Sequence, residues 1–217
     1  MNNVRLALLR VVLGLISASA SGQPAPALPE WITDLRLGGY VIVFRHGATT
    51  SDPANVDPMR KPNADPMSRP GTSAQRQLTE QGRAQATSIG RSMRKLNIPV
   101  GQVLTSTAQR AIDTGKLFGF GDVTPTSDLS ENGPTLPPDE NDGRAQALRK
   151  LAARRPPADN NLVIVSHKPN IIAAFGEDWT DIREGEASVF EPDGHGGYKL
   201  VVRIQANEWS KFVAAPD

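Results

Sequence analysis

The sequence predicts a three-layer α/β/α sandwich, in which helices cover both faces of a mostly parallel, mixed central sheet. Between residues 40 and 165, short apolar runs alternate with segments of helical periodicity, as expected where helices connect parallel strands. Beyond residue 186, two more strand-like runs flank a glycine-rich turn, so the sheet should end in an antiparallel hairpin. A chain of 217 residues is long enough for one such domain with a substantial core.

The N-terminus has the pattern of an export leader. Two arginines precede a short apolar segment, and Ala18, Ser19 and Ala20 match a signal-peptide cleavage site. An uncleaved anchor is the alternative, but the apolar stretch is shorter than the roughly 20 residues of a membrane-spanning helix. We therefore expect an exported protein, periplasmic or secreted, with no stable membrane insertion after leader removal. Its expected parts are a signal peptide over 1–20, a proline-rich linker over 21–30 and one domain over 31–217.

Composition limits the classes of partner. The formal net charge is +1, and removal of the leader with its two arginines would change it to about −1. A protein that binds nucleic acid by neutralising many phosphates needs a strong basic excess, so no nucleic-acid partner is expected. The chain contains no cysteine, which excludes disulfides and thiolate metal sites. Any recognition of an anion must therefore be local.

The elements of the first half follow in order. The apolar run 40–44 predicts the first strand, and five prolines in 49–77 predict a long loop. The position of this loop beside the polar end of the first strand favours a lid that sets substrate specificity. From Thr79, small or apolar residues recur every three or four positions, which predicts a helix that ends before Pro99. Its expected buried positions are Ala86, Ile89, Met93 and Leu96.

The second half begins with a short predicted strand at 103–104 and a helix over 108–118. Residues 121–138, rich in proline and glycine, read as a loop, and 141–153 reads as another helix. The uninterrupted apolar run 162–165 is typical of a strand that is buried on both faces. The final hairpin is expected from strands at 187–190 and 198–204 around the turn EPDGHGG.

Polar side chains follow three of the predicted strands. Arg45 and His46 come directly after the first, Arg110 lies early in the helix after the second, and His167 follows the run 162–165. Ligands of such sheets bind outside the carboxyl ends of the strands. Two guanidinium groups and two imidazoles in one pocket are costly unless an anion completes the cluster, and a phosphoryl group accepts the bidentate donors of arginine. The sequence thus predicts a phosphate site.

These segments resemble the histidine phosphatase superfamily, in the branch that includes the cofactor-dependent phosphoglycerate mutases. The matching blocks, in family order, are FRHGATT (44–50), LTEQGRAQA (78–86), TSTAQRAIDT (105–114) and VIVSHKPN (163–170). The branch of acid phosphatases and phytases is less similar, because Ala48 follows RHG here and Lys168 follows the second histidine. The resemblance implies a phosphoglycerate mutase-like fold.

The resemblance also implies a phosphomonoester hydrolase that needs neither metal nor cofactor and binds a small phosphorylated substrate or inorganic phosphate. His46 would attack phosphorus as a neutral imidazole, whose pKa the neighbouring cations should lower, and would form a phosphohistidine. Arg45, Arg110 and His167 would hold the phosphoryl oxygens. Thr49 is an expected further phosphate ligand, with a plain loop threonine as the alternative.

The expected general acid is Glu131, and the open alternatives are Asp52, Asp128, Asp139 and Glu140. Asp52 also stands where the family frequently has an asparagine, six residues after the nucleophile. Two other functions stay open: a catalytically silent phosphate-binding pseudophosphatase, and a protein phosphohistidine phosphatase. His195 lies between two glycines of the predicted hairpin turn and is expected to be solvated, with no catalytic role.

Overall fold

A six-stranded mixed sheet forms the centre of the protein, in a computed structural model that describes residues 28–50, 76–131 and 138–213. The strands are β1 (Val41–Arg45), β2 (Val100–Ser106), β3 (Val123–Thr126), β4 (Asn161–Ser166), β5 (Ala187–Pro192) and β6 (Tyr198–Ile204). Their order across the sheet is β3-β2-β4-β1-β5-β6. The first four of these are mutually parallel, and β5 and β6 are antiparallel to their neighbours. This confirms the predicted mostly parallel, mixed sheet.

Helices pack on both faces of the sheet, as predicted. They are α1 (Glu30–Leu37), α2 (Glu80–Lys95), α3 (Gln109–Phe118), α4 (Pro138–Ala152), α5 (Lys168–Phe175) and α6 (Trp209–Val213). Successive side chains of a strand point to opposite faces, and β1 shows this clearly. Its Ile42 and Phe44 join the core formed with α1, α2, α3 and α6, whereas Val41 and Val43 join the core formed with α4 and α5.

Helix α2 follows the predicted pattern closely. The Thr79 hydroxyl caps it by accepting a hydrogen bond from the Gly82 amide at 3.0 Å. All four residues expected on its buried side are buried. The helix ends before Pro99 is reached, because Asn97 adopts the left-handed conformation with φ of 56°.

The sequence interpretation differs from the structure in several elements. Residues 121–138 are not simply a loop, since they contain β3 and a 3₁₀ turn, Ser127–Leu129. Pro125 obscured β3, yet a proline is tolerated there because β3 is an edge strand that, among the described residues, pairs with β2 alone. Strand β2 is seven residues long rather than two. Helices α1, α5 and α6 were not predicted, because each is short and carries too little periodic signal.

The C-terminal hairpin is present as predicted. Strands β5 and β6 pair in antiparallel register, and the Asp193 carboxylate closes the turn by accepting hydrogen bonds from the amides of His195 and Gly197. The expected leader over 1–20, most of the linker and residues 51–75 of the expected lid, including Asp52, lie outside the described residues. Within the described ranges, no helix has the length and apolar character that crossing a membrane requires.

Two glycines within helices give a matched test of the packing. A Cβ at Gly90 of α2 would lie 2.0 Å from the carbonyl oxygen of Phe118, whereas a Cβ at Gly143 of α4 would meet no atom within 4 Å. We expect Gly90→Ala to lower the free energy of unfolding by about 1–3 kcal/mol through overpacking. Gly143→Ala should raise it by up to about 1 kcal/mol, because alanine favours the helix. Urea unfolding of both variants measures the difference, and equal effects would contradict the close α2–α3 contact.

Candidate active site

The carboxyl ends of β1, β4 and β2 meet at one edge of the sheet. Strand β4 lies between the other two, and its Ser166 is in register with Arg45 of β1. The side chains that follow these strands therefore converge: the rings of His46 and His167 are 5.2 Å apart, centroid to centroid. Arg110, near the start of the helix that follows β2, places its Nη2 atom 3.1 Å from Nδ1 of His167. The structure thus brings together the four residues that the sequence predicted to meet.

A hydrogen bond to the backbone of the next residue orients the His46 ring. Its ring is buried, with 1% of the residue exposed, and its Nδ1 lies 2.8 Å from the carbonyl oxygen of Gly47. A carbonyl oxygen can only accept, so Nδ1 carries the proton and donates. In the neutral ring, Nε2 then holds the free electron pair. Such a ring has the form that nucleophilic attack requires.

Burial keeps His46 neutral. The pKa of His46 is lowered from the usual 6.5 to about 3, and removal of the ring from water is the largest cause. The positive charges of Arg110, Arg45 and Arg76 act in the same direction, while the hydrogen bond to Gly47 opposes the change. The sequence analysis expected the neighbouring cations to be the cause, but desolvation is the larger one.

His167 is also buried and neutral, and both of its ring nitrogens have partners. Arg110 can only donate, so Nδ1 of His167 accepts from it, and Nε2 donates to Oγ of Ser106 at 2.7 Å. Burial, followed by the charge of Arg110, lowers the pKa of His167 well below its usual value. Ser106 also accepts a hydrogen bond from the Ala108 amide at 3.1 Å. It therefore connects the start of α3 with the histidine ring.

Both arginines keep a buried donor without a partner. The Nε atoms of Arg45 and Arg110 make no hydrogen bond within the part of the chain that the structure describes. Each side chain uses another nitrogen: Arg45 Nη1 donates to the Ile182 carbonyl at 2.8 Å, and Arg110 Nη2 contacts the Glu131 carboxylate. Leaving a buried donor unpaired costs free energy. An anion with several acceptor oxygens would remove this cost beside His46.

The loop before β5 forms a wall of the site that the sequence did not reveal. The Gly185 amide contacts the carbonyl oxygens of Arg45 and His46, at 3.1 and 3.0 Å. Glu184 lies with Oε1 3.4 Å from Nη2 of Arg45, and the same oxygen accepts from the Thr49 hydroxyl at 3.0 Å. In this structure the hydroxyl of Thr49 therefore donates its hydrogen bond to Glu184. Its role as a phosphate ligand stays a prediction.

Glu131 is the proposed acid that the structure places in the cluster. Its carboxylate pairs with Arg110, and its carbonyl oxygen accepts from Arg144 Nη1 at 2.9 Å. The other described alternatives lie elsewhere. Asp128 is exposed and lines a different cavity beside α4, and Glu140 pairs with Arg144.

A cavity of about 460 Å³ opens beside His46, a size typical of small-molecule sites. It is lined by cationic groups, one carboxylate and an apolar helix face: Arg45, His46, Arg76, Glu131, Lys168, Pro169, Ile172 and Ala173. The charge of Arg76 contributes to the low pKa of both histidines, so this residue belongs to the site. Among the described residues, no group of three or more His, Asp or Glu side chains is arranged to hold a metal ion.

Comparison with known proteins finds a family model that matches part of the sequence. The family model "Histidine phosphatase superfamily (branch 1)" matches residues 41–135, which include β1, α2, β2 and α3. No curated protein matches the sequence significantly.

Several solved structures share the fold. The protein histidine phosphatase SixA complexed with tungstate has a TM-score of 0.53 and 16% identity, over 78% of this chain and 98% of that chain. Phosphoserine phosphatase from Entamoeba histolytica, complexed with 3-phosphoglyceric acid, has a TM-score of 0.53 and 16% identity, over 76% and 96%. YhfR from Bacillus stearothermophilus has a TM-score of 0.55 and 17% identity, over 75% and 95%. At these identities the likeness establishes the fold, which is phosphoglycerate mutase-like as predicted.

The low pKa of His46 predicts a pH dependence of stability. Between pH 3 and 6.5 the unfolded chain binds a proton on this histidine that the folded protein does not, so the free energy of unfolding falls as the pH is lowered. His46→Gln removes one such proton. We expect the slope of unfolding free energy against pH to decrease by about 1.4 kcal/mol per pH unit in the middle of this range. Urea titrations from pH 3.5 to 7 measure it, with His195→Gln in the exposed turn as control. An unchanged slope in His46→Gln would mean that His46 is not held neutral.

Proposed function

We propose that this chain belongs to branch 1 of the histidine phosphatase superfamily, whose model matches residues 41–135, and that it hydrolyses phosphomonoesters through a phosphohistidine formed on Nε2 of His46. One observation carries the proposal. A buried neutral imidazole, oriented by the Gly47 carbonyl, lies in a cavity beside the buried Arg110 and the partly buried Arg45, each of which has a buried Nε donor without a partner among the described residues. This arrangement offers a nucleophile and the donors that a transferred phosphoryl group needs.

In the first step, the electron pair on Nε2 of His46 attacks phosphorus. The bond from phosphorus to the ester oxygen breaks, and its electrons leave with that oxygen, which takes a proton from the Glu131 carboxylic acid. In the second step, water attacks the phosphohistidine and gives a proton back to Glu131. The N–P bond breaks, and its electron pair returns to Nε2. The products are the alcohol and inorganic phosphate, and the protein is regenerated.

The arginines would stabilise charge in both displacements. The Nε donors of Arg45 and Arg110 are the groups best suited to bind equatorial phosphoryl oxygens. The carboxylate of Glu131 contacts Arg110 in the free protein, so a phosphoryl group would take over part of this guanidinium. Glu131 would then be released toward the leaving oxygen. This exchange would allow the Glu131 carboxyl group to lie close to phosphorus without repelling the phosphoryl oxygens.

His167 would have to exchange a partner to bind phosphate. In the free protein, one ring nitrogen accepts from Arg110 and the other donates to Ser106. A bound dianion opposes the charges that hold the pKa of His167 low, so it favours the protonated ring. The protonated ring donates through both nitrogens, one to Ser106 and one to a phosphoryl oxygen. His167 would therefore act as a cation only when substrate is bound.

A protein phosphohistidine phosphatase is the second candidate. The similarity of the fold to the protein histidine phosphatase SixA supports it. A small phosphomonoester is favoured, because the cavity beside His46 has the volume of a small-molecule site. The silent pseudophosphatase is disfavoured, since the free Nε2 of His46 and the carboxylate of Glu131 are both available in the cavity. We also propose, from the sequence of the leader, that the enzyme acts outside the cytoplasm.

Loss of the nucleophile should abolish turnover. We expect His46→Ala to lower kcat for 4-nitrophenyl phosphate by at least about three orders of magnitude, and His195→Ala to leave it unchanged. Wild-type turnover should persist with a chelator present. Rapid acid-free denaturation during turnover of ³²P-labelled substrate should trap an acid-labile, base-stable phosphoprotein in the wild type and none in His46→Ala. Retained turnover in His46→Ala would exclude the phosphohistidine mechanism.

The role of Glu131 depends on the leaving group. We expect Glu131→Gln to lower kcat for an alkyl phosphate by about 10²–10⁴, because a poor leaving group needs a proton. For 4-nitrophenyl phosphate, whose leaving group needs little protonation, the loss should be within about tenfold. Asp128→Asn is the matched control among the alternative acids and should affect neither substrate. Equal losses of Glu131→Gln on both substrates would instead indicate a role in binding.

A further inference from the structure

One wall of the cavity comes from a single helix. Four residues of α5 line it: Lys168, Pro169, Ile172 and Ala173. Residues four apart on a helix lie on the same side, so Ile172 follows Lys168, and Ala173 follows Pro169, along the helix axis. The wall extends for about 7.5 Å from the first to the last of these residues. A leaving group bonded to a phosphoryl group at His46 would lie against it.

The wall is apolar except for one cation. Pro169 and Ala173 are exposed and Ile172 is partly buried, so apolar surface is available within the cavity itself. Lys168 forms no ion pair or side-chain hydrogen bond within residues 28–50, 76–131 and 138–213. Among the described residues that line this cavity, only Glu131 has a carboxylate, and it is paired with Arg110. No described acidic residue therefore compensates the charge that Lys168 presents to the cavity.

Lys168 reaches the cavity from a different element than the arginines. Arg45 ends β1, Arg76 precedes α2 and Arg110 lies in the first turn of α3. Lys168 comes immediately after His167, at the first residue of α5, and its side chain lines the same cavity as His46. Helix α5 thus adds a cation of its own to the cavity.

We infer that the substrate carries a second anionic group on its leaving group, bound by Lys168, with an apolar portion between the two that packs on Ile172 and Ala173. This inference rests on the proposed phosphatase function and names its substrate class: a small phosphomonoester whose alcohol bears a carboxylate or a second phosphate. The charge of Lys168 selects the anionic group, and the apolar wall selects the spacer. A neutral alcohol of the same size lacks the first of these interactions.

A pair of matched substrates tests the inference. Phenyl phosphate and 3-carboxyphenyl phosphate share the scissile bond and the aromatic spacer and differ in the second anionic group. We expect the wild type to prefer the carboxylated ester in kcat/KM. Lys168→Gln should lower the ratio of the two kcat/KM values about tenfold, the size of one charge-assisted hydrogen bond.

Further variants separate a specific contact from a general effect of charge. Lys168→Glu should reverse the preference, and Lys168→Arg should retain it. Lys199→Gln makes the same change of charge on exposed β6 and should leave the ratio at the wild-type value. Lys199 does not line the cavity.

A wrong Lys168 subsite and a wrong phosphatase function would give different results. If the wild type hydrolyses both esters and Lys168→Gln leaves the ratio unchanged, the second-anion subsite is wrong and the phosphatase function stands. If neither ester is hydrolysed by the wild type, the proposed function is wrong. Calorimetric binding of the same two compounds then tests the subsite alone, through the ratio of their dissociation constants in wild type and Lys168→Gln. An unchanged ratio of dissociation constants overturns it.

Discussion

The burial of positive charge at the carboxyl edge of the sheet is the constraint on which the rest of the site depends. Arg45 and Arg110 cannot lose their protons readily, so each is compensated by a carboxylate, from Glu184 and Glu131 respectively. His46 and His167 respond differently, because burial and the adjacent arginines lower their pKa and keep them neutral. The desolvation that disfavours charge on the imidazole also preserves the electron pair that a nucleophile needs. The free-energy cost of burying the ring and its neutral, nucleophilic form thus have the same physical cause, which is desolvation.

The backbone after His46 is held by two residues, Thr114 and Gly82, that have no proposed part in the reaction. The Gly47 amide donates to the Thr114 hydroxyl at 3.1 Å, and that hydroxyl donates to the Arg110 carbonyl at 2.7 Å. A Cβ at Gly82 would lie 2.1 Å from the Ala48 carbonyl oxygen, so only glycine permits this close approach of α2. The blocks LTEQGRAQA and TSTAQRAIDT therefore fix the conformation that aims the His46 ring. Residues of these two blocks therefore position His46, in addition to contributing Arg110 to the site.

What the sequence could predict depended on regular patterns. The buried face of α2 shows through Ile89 and Met93, which recur at helical spacing, and the polar ends of the buried strands indicated that His46, Arg110 and His167 lie together. Arg76 and Glu184 were missed because they lie in loops, where only tertiary contacts bring them to the site. β3 was missed because an edge strand with a proline lacks an alternating pattern. Residues that reach the site only through tertiary contacts show no periodic pattern in the sequence.

The segment around His167 links the catalytic histidine to the proposed acid and to the leaving-group wall. Ser166 donates through its hydroxyl to the Leu129 carbonyl at 3.1 Å, and Asn170 donates to the Ser130 carbonyl at 2.5 Å. These two contacts flank His167 in sequence and fix the backbone that leads to Glu131. Lys168, between them, makes neither contact and reaches the cavity instead. Because the residues that position the acid differ from the residue that faces the leaving group, substrate preference can change at Lys168 without disturbing the placement of Glu131.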